Sequence, residues 1–256
     1  MKAIILAGGL GTRLSEETST KPKPMVEIGG MPIIWHIMNI YSFYGINDFI
    51  ICCGYKGSLL KDFFTKYLYL NSDITVDMSK NDIELHSKNK NPWKISLIDT
   101  GGDTMTGGRL LKIKDYLHDC DDVCFTYGDG VGNVNIQESI DFHKQHQKLV
   151  TMTVAYPPPR FGSISLEGQK VIKFSEKPDG EGGLINAGFF VLKKEALNYI
   201  QDDQTTWEEG PLNNLTADGE LMAYVHKGFW KPMDTLNDRN HLEKLWNNGE
   251  AEWKVW

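Results

Sequence analysis

The sequence predicts an α/β fold, with a mostly parallel, Rossmann-like sheet flanked by helices and a smaller β-rich lobe. Apolar runs at residues 3–6, 49–53 and 123–127 are each followed by glycines, as is typical of buried strands that end in tight loops. Segments with helical spacing follow the first two runs, and this order implies parallel strands joined by right-handed crossovers. Beyond residue 157 the apolar residues alternate over short stretches, which indicates antiparallel strands.

The individual elements follow from apolar spacing and from stop signals. Residues 32–44, for example, place several isoleucines on one helical face, and Gly45 is a suitable helix end. The predicted helices cover residues 32–44, 59–70, 107 to about 117, 136–146, 195–200, 210–218 and 235–246. The later predicted strands are 150–155, 163–166, 171–174 and 188–192, and residues 73–99 are expected to be β-rich.

Composition limits what the chain can do. At 256 residues and 41% hydrophobic, it can bury the core of one large domain. The net charge of -7 argues against a nucleic-acid partner, so we expect small-molecule substrates. No apolar run approaches the roughly 20 residues that span a bilayer, and Gly8-Gly9 interrupts the apolar start too early for a secretory signal. We therefore expect a cytoplasmic protein with no membrane partner.

Cysteine and tryptophan side chains are expected to be structural. The cysteines at 52, 53 and 124 lie within apolar runs, so we interpret them as small buried residues and assign no metal to sulfur. Trp246, Trp253 and Trp256 are expected to pack on the core or on another subunit.

The loop after the first predicted strand is the strongest functional signal. Its glycines let backbone N–H groups approach an anion closely, and Arg13, Lys21 and Lys23 supply cations that suit a triphosphate. The loop matches neither a Walker motif nor a dinucleotide fingerprint, because Leu14 stands where the latter needs glycine. Gly8-Gly9 alone could be a simple turn beside solvated lysines. The grouped cations favour a phosphate site.

An acidic turn follows the third strong strand. Asp129 lies between two glycines at the carboxyl end of this strand, where a carboxylate can bind a hard cation such as Mg²⁺. An aspartate in such a turn is often only a turn former. Asp234 is a candidate partner for Asp129, although the two can share a metal only if the fold joins them.

Two further segments have both a structural and a functional interpretation. The turn at Thr104 to Leu110 can begin a helix, or it can read a base edge while Arg109 donates to a pyrimidine O2 or a phosphate. Glu176 and Asn186 suit sugar hydroxyls and Lys177 suits a monophosphate, but surface salt-bridge partners would look the same.

These residues resemble the motifs of a known family, the sugar-phosphate nucleotidyltransferases, nearly end to end. That family opens with Leu-Ala-Gly-Gly-x-Gly-Thr-Arg-Leu and a Lys-Pro pair, matched here by residues 6–14 and 21–24. Its uridylyl and thymidylyl branches usually place a proline soon after the Arg-Leu, whereas residues 15–18 are Ser-Glu-Glu-Thr, as in the cytidylyl branch. The resemblance implies a GT-A-like fold and points to CTP.

The resemblance also implies a role for each candidate residue. Lys23 and Arg13 would be catalytic, and Asp129 and Asp234 would hold Mg²⁺. Glu176, Lys177 and Asn186 would bind the sugar phosphate. The nucleotide would contact Leu6, Ala7, Gly8, Gly9, Leu10, Gly11, Thr12, Arg13, Lys23, Thr104, Arg109 and Gly128. The single domain, 1-256, would comprise a nucleotide-binding part (1-155), a sugar-phosphate-binding part (156-235) and a C-terminal helix and tail (236-256).

The activity implied by the resemblance is transfer of a cytidylyl group from CTP to glucose 1-phosphate, with release of diphosphate. The resemblance further suggests a homo-oligomer, with a hexamer as one candidate, and supply of CDP-sugars for bacterial surface polysaccharide. Two alternatives remain at this point. The chain could be a uridylyl- or thymidylyltransferase on the same fold, or a catalytically silent subunit that binds nucleotide-sugar. Retention of Arg13, Lys23, Asp129 and Asp234 speaks against the silent subunit.

Overall fold

The computed structural model describes residues 1–86, 91–157, 163–175 and 183–256. The strands are β1 Lys2–Ala7, β2 Glu27–Ile28, β3 Met31–Pro32, β4 Asp48–Cys53, β5 Ile74–Asp77, β6 Asp82–Leu85, β7 Lys94–Asp99, β8 Asp122–Tyr127, β9 Gly130–Gly132, β10 Val150–Ala155, β11 Ser163–Glu167, β12 Lys170–Ser175, β13 Ile185–Lys193, β14 Leu221–His226 and β15 Trp230–Pro232. The α-helices are α1 Ser15–Thr18, α2 Ile33–Phe43, α3 Gly57–Leu70, α4 Thr106–Lys112, α5 Ile136–His146, α6 Gly210–Ala217 and α7 Leu236–Asn247. Short 3-10 helices cover Thr12–Leu14, Lys23–Met25, Lys114–Leu117 and Lys194–Tyr199.

A mixed sheet forms the centre of the molecule. Within the described residues it has seven strands in the order β14-β10-β13-β8-β1-β4-β7. β1 pairs in parallel with both β4 and β8, β4 with β7, and β10 with β14. Only β13 runs against its neighbours β8 and β10. The prediction of a mostly parallel sheet is therefore confirmed.

The sheet is covered by helices on both faces, which explains why its central strands are continuously apolar. Successive residues of β1 point to opposite faces, so Ile5 lies in one core cluster and Ile4 in the other. The first cluster packs residues of α2, α3, α5 and α7, and the second packs residues of α4 and α6. This three-layer arrangement buries apolar side chains on both faces of the sheet.

Most predicted elements occur close to their expected positions, and α5 and β10 match their predicted bounds. Two predicted helices differ. The helix expected over 107–117 ends at Lys112, because Ile113 (φ -100°, ψ 6°) leaves the helical region before a 3-10 helix begins. The segment at 195–200 is 3-10 rather than α-helical. Residues 73–99 contain β5, β6 and β7, as expected.

The strand predicted at 188–192 lies in the central sheet and not with the antiparallel strands of the smaller β-rich lobe, where its sequence position suggested it. β11 and β12 form an antiparallel hairpin of their own, but β13 is an inner strand of the central sheet. Its side chains are buried from Ala187 to Leu192 because helices cover both faces there. Because β13 runs antiparallel to β8, its first residues lie at the edge where β8 ends.

The C-terminal tail packs back onto the first core cluster. Trp253 is fully buried, and its indole stacks on Phe229 and on Trp246. Trp256 packs edge-on against Trp35 of α2. The predicted packing of these indoles on the core is confirmed. None of the described helices is long and apolar enough to cross a bilayer.

Candidate active site

A cavity of about 360 Å³ opens where β1 and β8 end. Parallel neighbours present their carboxyl ends at the same edge, so the loops that follow the two strands meet there. The cavity is lined by Leu6, Ala7, Gly9, Gly11, Thr12, Arg13, Lys23, Pro24, Thr106, Tyr127, Gly128, Asp129 and Glu208. Nine of these residues belong to the predicted nucleotide and metal sites.

A small ribbon brings the two predicted metal carboxylates together. β9 follows Asp129 directly and pairs antiparallel with β15, so that Gly130 faces Pro232. The backbone N–H of Met233 donates to the carbonyl of Asp129 at 2.8 Å. Asp234 is therefore held beside Asp129 despite their separation in sequence.

Lys23 lies between these carboxylates. Its Nζ is 2.7 Å from Asp129 Oδ2 and 2.7 Å from Asp234 Oδ1. Burial alone would lower the pKa of Lys23, but the interactions with Asp129 and Asp234 outweigh it and raise the pKa above its ordinary value. The ammonium therefore stays charged in the wall of the cavity.

Arg13 completes the charged cluster from the solvent side. Its Nη1 donates to Asp234 Oδ2 at 2.9 Å, while 71% of its side chain is exposed. The arginine can therefore turn toward an anion in the cavity with little loss of packing. Lys21 faces elsewhere, with its Nζ 3.6 Å from Glu17 and 3.7 Å from Glu27. Of the two lysines in the Lys-Pro pairs, only Lys23 lines the described cavity.

Gly8 and Arg109 have a structural relationship that their sequence pattern does not reveal. The buried Arg109 guanidinium donates to the carbonyl oxygens of Gly8 (3.1 Å) and Gly101 (2.7 Å) and to Thr100 Oγ1 (2.7 Å). A Cβ at Gly8 would lie 2.2 Å from the guanidinium carbon, whereas a Cβ at Gly9 would meet nothing within 4 Å. Gly8 thus makes room for Arg109, and Gly9 faces the cavity.

Several other predicted nucleotide residues lie behind or outside the cavity wall. Thr104 is buried, donates to the carbonyl of Thr100 at 2.6 Å and accepts from Lys112. Neither Thr104 nor Arg109 is among the residues that line the described cavity. Leu10 is 59% exposed. Any contact of these three with a nucleotide stays a prediction.

The predicted sugar-phosphate residues are only partly described. Glu176 and Lys177 lie outside the described residues. Asn186, at the start of the reversed strand β13, has its Nδ2 3.5 Å from Tyr127 Oη. The antiparallel direction of β13 is what brings Asn186 to this edge of the sheet.

Sequence reasoning missed three polar residues of the cavity wall, Thr106, Tyr127 and Glu208. Glu208 accepts hydrogen bonds from Tyr127 Oη and from Thr106 Oγ1, the latter at 2.6 Å. Tyr127 directly precedes Gly128-Asp129, so its place at the strand end was a usable signal. Glu208 follows no recognisable motif, and only the fold brings it to the cavity.

The donor set suits a hard divalent cation that keeps much of its own hydration. Asp129 and Asp234 converge on the Lys23 ammonium. Among the described residues, no group of three or more His, Cys, Asp or Glu side chains is arranged to hold a metal ion. Mg²⁺ is commonly bound by one or two carboxylates together with waters and substrate phosphates. Two aspartates beside a phosphate cavity therefore fit it.

A family comparison agrees with this geometry. The sequence profile of the nucleotidyl transferase family matches residues 2–238, a span that includes the glycine loop, Lys23, Asp129 and Asp234. The chain belongs to the nucleotidyl transferase family. Members of the nucleotidyl transferase family generally use a divalent metal ion.

Curated relatives within the nucleotidyl transferase family match the whole chain. The glucose-1-phosphate cytidylyltransferase of Salmonella typhi is 55% identical over 256 residues, covering 100% of both chains. The probable glucose-1-phosphate cytidylyltransferase of Bacillus subtilis is 43% identical over 257 residues, again covering 100% of both. Among solved structures, HddC from Yersinia pseudotuberculosis aligns with a TM-score of 0.71 and 23% identity, covering 96% of this chain and 99% of HddC. That likeness supports the fold alone.

Proposed function

We propose that the chain transfers the cytidylyl group of CTP to glucose 1-phosphate, forming CDP-glucose and diphosphate. The observation that carries this proposal is the 55% identity to the Salmonella typhi glucose-1-phosphate cytidylyltransferase across the full length of both chains. The site supports it, because the cavity is lined by the glycine loop, Arg13, Lys23 and Asp129. Asp234 lies next to the cavity and contacts both cations.

The reaction needs positioning and charge neutralisation rather than proton transfer. An oxygen of glucose 1-phosphate attacks the α-phosphorus of CTP in line with the bond to the departing diphosphate, forming one P–O bond as the other breaks. The attacking phosphate is already ionised near neutral pH, since its second pKa is about 6. No general base and no covalent enzyme intermediate are required.

Lys23 and Arg13 would stabilise the charge that accumulates on the phosphates. Lys23 is buried and remains protonated, so its ammonium is a fixed charge in a site of low dielectric, where such charges act strongly. Arg13 is exposed and can close over the triphosphate with its planar guanidinium. The glycine loop would contribute backbone N–H groups from Gly9 and Gly11, which line the cavity.

We assign Mg²⁺ to Asp129 and Asp234. When bound, the ion supplies charge neutralisation on phosphate oxygens and helps to orient them. We further propose that Asn186, with Glu176 and Lys177, binds the sugar phosphate. The division into a nucleotide-binding part (1-155) and a sugar-phosphate-binding part (156-235), the cytoplasmic location and assembly as a homo-oligomer are also proposals.

A panel of nucleoside triphosphates tests the proposed function. Purified protein is incubated with glucose 1-phosphate, Mg²⁺ and CTP, UTP, dTTP or GTP, and diphosphate release is measured. We expect CTP to give the highest kcat/KM. A preference for UTP or dTTP would instead identify the chain as a uridylyl- or thymidylyltransferase on the same fold. Binding of CTP without diphosphate release from any sugar phosphate would favour the catalytically silent subunit.

A further inference from the structure

The wall of Thr106, Tyr127 and Glu208 is a polar feature of the cavity that the phosphate chemistry does not use. Glu208 Oε1 accepts from the Tyr127 hydroxyl and Oε2 accepts from the Thr106 hydroxyl. The Thr106 hydroxyl also accepts from the backbone N–H of Trp207 at 2.9 Å, which fixes its orientation. Burial and the neighbouring Glu208 carboxylate raise the pKa of Tyr127 well above its ordinary range, so the phenol remains a donor. The carboxylate is therefore held in one orientation.

Glu208 has acceptor capacity that its hydrogen-bond partners in the described part of the chain do not fill. An ionised carboxylate can accept about four hydrogen bonds, and these two hydroxyls occupy about half of that capacity. Across the described ranges, no Lys, Arg or His lies within ion-pair distance of Glu208. A half-buried carboxylate with no cationic partner in these ranges gains from a further N–H or O–H donor in the cavity.

The cavity has two chemically different ends. At one end Arg13 and Lys23 pair with carboxylates and can turn their donors to phosphates, with a metal ion offsetting the carboxylate charge. At the other end the Glu208 carboxylate would repel a phosphate and suits a neutral donor. Asn186 extends the Glu208 side, since its amide is 3.5 Å from the Tyr127 hydroxyl that Glu208 holds. A wall that continues from a carboxylate through a phenol to an amide offers the groups that bind a polyol.

We propose that the Glu208 carboxylate accepts a hydrogen bond from a hydroxyl group of the hexose, and that Tyr127 and Thr106 orient it for this contact. Glu208 is then a specificity-determining residue, and Tyr127 and Thr106 are positioning residues. This inference rests on the proposed function, because it takes the sugar phosphate as the second substrate. The competing donor is the exocyclic amine of cytosine, which a carboxylate can also bind.

The test combines a variant with substrate analogues. Glu208→Gln keeps the shape of the side chain and removes its charge, and Glu209→Gln removes a charge from the adjacent exposed residue. Each protein is assayed with CTP, UTP, glucose 1-phosphate and the 2-, 3-, 4- and 6-deoxy analogues of glucose 1-phosphate. Turnover of CTP and glucose 1-phosphate by the unchanged protein tests the proposed function separately.

We expect Glu208→Gln to lower kcat/KM for glucose 1-phosphate by about 10- to 100-fold, because a hydrogen bond to a charged group is lost. For one deoxy analogue, kcat/KM of Glu208→Gln should be close to that of the unchanged protein, since the hydroxyl that Glu208 binds is already absent. Tyr127→Phe should shift kcat/KM in the same direction by a smaller factor, and Glu209→Gln should behave as the unchanged protein.

Two results would overturn the assignment. If Glu208→Gln reduces turnover of glucose 1-phosphate and of every deoxy analogue by one common factor, the residue is only structural. If the variant instead raises KM for CTP and narrows the ratio of CTP to UTP turnover, with the pattern across the deoxy analogues unchanged, the carboxylate reads the base.

Discussion

Lys23 is a buried charge held by two carboxylates. Its Nζ is within 2.7 Å of both Asp129 and Asp234, and only 8% of the residue is exposed. A buried ion pair is costly to form but strongly destabilising to break from one side. The lysine stabilises the carboxylate pair in the free protein. In the proposed reaction it would also supply positive charge to the phosphates.

Replacing Lys23 with alanine is expected to lower kcat by about 10²- to 10³-fold, by analogy with the loss of one oxyanion-stabilising donor. Diphosphate release at saturating CTP and Mg²⁺ measures the effect. Lys21→Ala is the matched control, because Lys21 pairs with surface glutamates and does not line the cavity. Full turnover by Lys23→Ala would show that the charge is supplied elsewhere.

Gly8 and Gly9 are neighbours with different requirements. Gly8→Ala would place a Cβ 2.2 Å from the Arg109 guanidinium and disturb its bonds to the loop carbonyls. We expect the free energy of unfolding to fall by about 1–3 kcal/mol, as for overpacking elsewhere. The Cβ added by Gly9→Ala meets no atom within 4 Å, so this variant should change the free energy of unfolding by no more than about 0.5 kcal/mol. Urea unfolding measures both, and equal losses would contradict this division of roles.

At the scale of elements, the ribbon of β9 and β15 is fixed by the start of α7. Thr235 caps this helix in a capping box with Asp238, whose Oδ2 accepts from the Thr235 backbone and hydroxyl. Asp238 Oδ1 is also 3.0 Å from Lys231 Nζ on β15. One carboxylate thus joins the strand before Asp234 to the helix after it.

Asp238→Ala is expected to lower the free energy of unfolding by about 1–2 kcal/mol, since it removes the cap and leaves Lys231 unpaired. It should also reduce kcat, because Asp234 loses its fixed position. Asn237→Ala, at the exposed neighbouring position, is the matched control and should preserve both. Thermal unfolding and diphosphate release are the measurements, and a neutral Asp238→Ala would show that the ribbon holds Asp234 unaided.

Sequence patterns predicted the bounds of helices and strands better than they predicted which strands pair in the sheet. The bounds of α5 and β10 follow from local sequence, because α5 has an apolar helical face and β10 is a short run rich in β-branched residues. The position of β13 inside the sheet depends on pairing with β8 and β10, which are distant in the chain. Its short apolar run indicates a strand but does not specify the partners.

The candidate site shows the same limit at its charged residues. A cation beside the glycine loop and a carboxylate at Asp129 could be predicted because glycine turns at strand ends mark the edge where ligands bind. The choice of Lys23 over Lys21 came from the family resemblance. The role of Arg109 could not be assigned from sequence. An arginine that donates to backbone carbonyls cannot be distinguished there from one that binds a phosphate. Glu208 was missed because no local pattern accompanies it.

At the scale of the whole molecule, the C-terminal tail closes the first core cluster over a buried histidine. His36 Nε2 is 2.8 Å from the carbonyl oxygen of Ile28, and the Trp253 indole donates to His36 Nδ1 at 3.4 Å. Burial lowers the pKa of His36 to about 4. Protonation of Nδ1 would place a second N–H of His36 against the indole N–H of Trp253, so the ring stays neutral.

This histidine predicts a loss of stability in acid. Because the folded pKa of about 4 lies below the unfolded value of about 6.5, stability is complete above pH 6.5 and falls as the pH drops toward 4. The loss attributable to His36 is about 3 kcal/mol. Burial also lowers the pKa of His143 to about 4, which adds a similar loss in the same pH range.

Urea unfolding between pH 4 and 8 measures this dependence. His36→Gln should be less stable at pH 7 but should show a shallower decline toward pH 4. His118→Gln removes an exposed histidine and should keep the full decline. An unchanged slope in His36→Gln would mean that the buried ring does not set the acid response.

The pairing of β9 with β15 has a consequence for synthesis on the ribosome. The glycine loop and Asp129 emerge early, but Asp234 and its ribbon follow only after another hundred or so residues, or roughly 5–20 s at ordinary elongation rates. During that interval the nascent chain contains Lys23 and Asp129 but lacks Asp234. We expect stalled chains with residue 229 just outside the ribosome to bind no CTP, and chains extended past residue 253 to bind it.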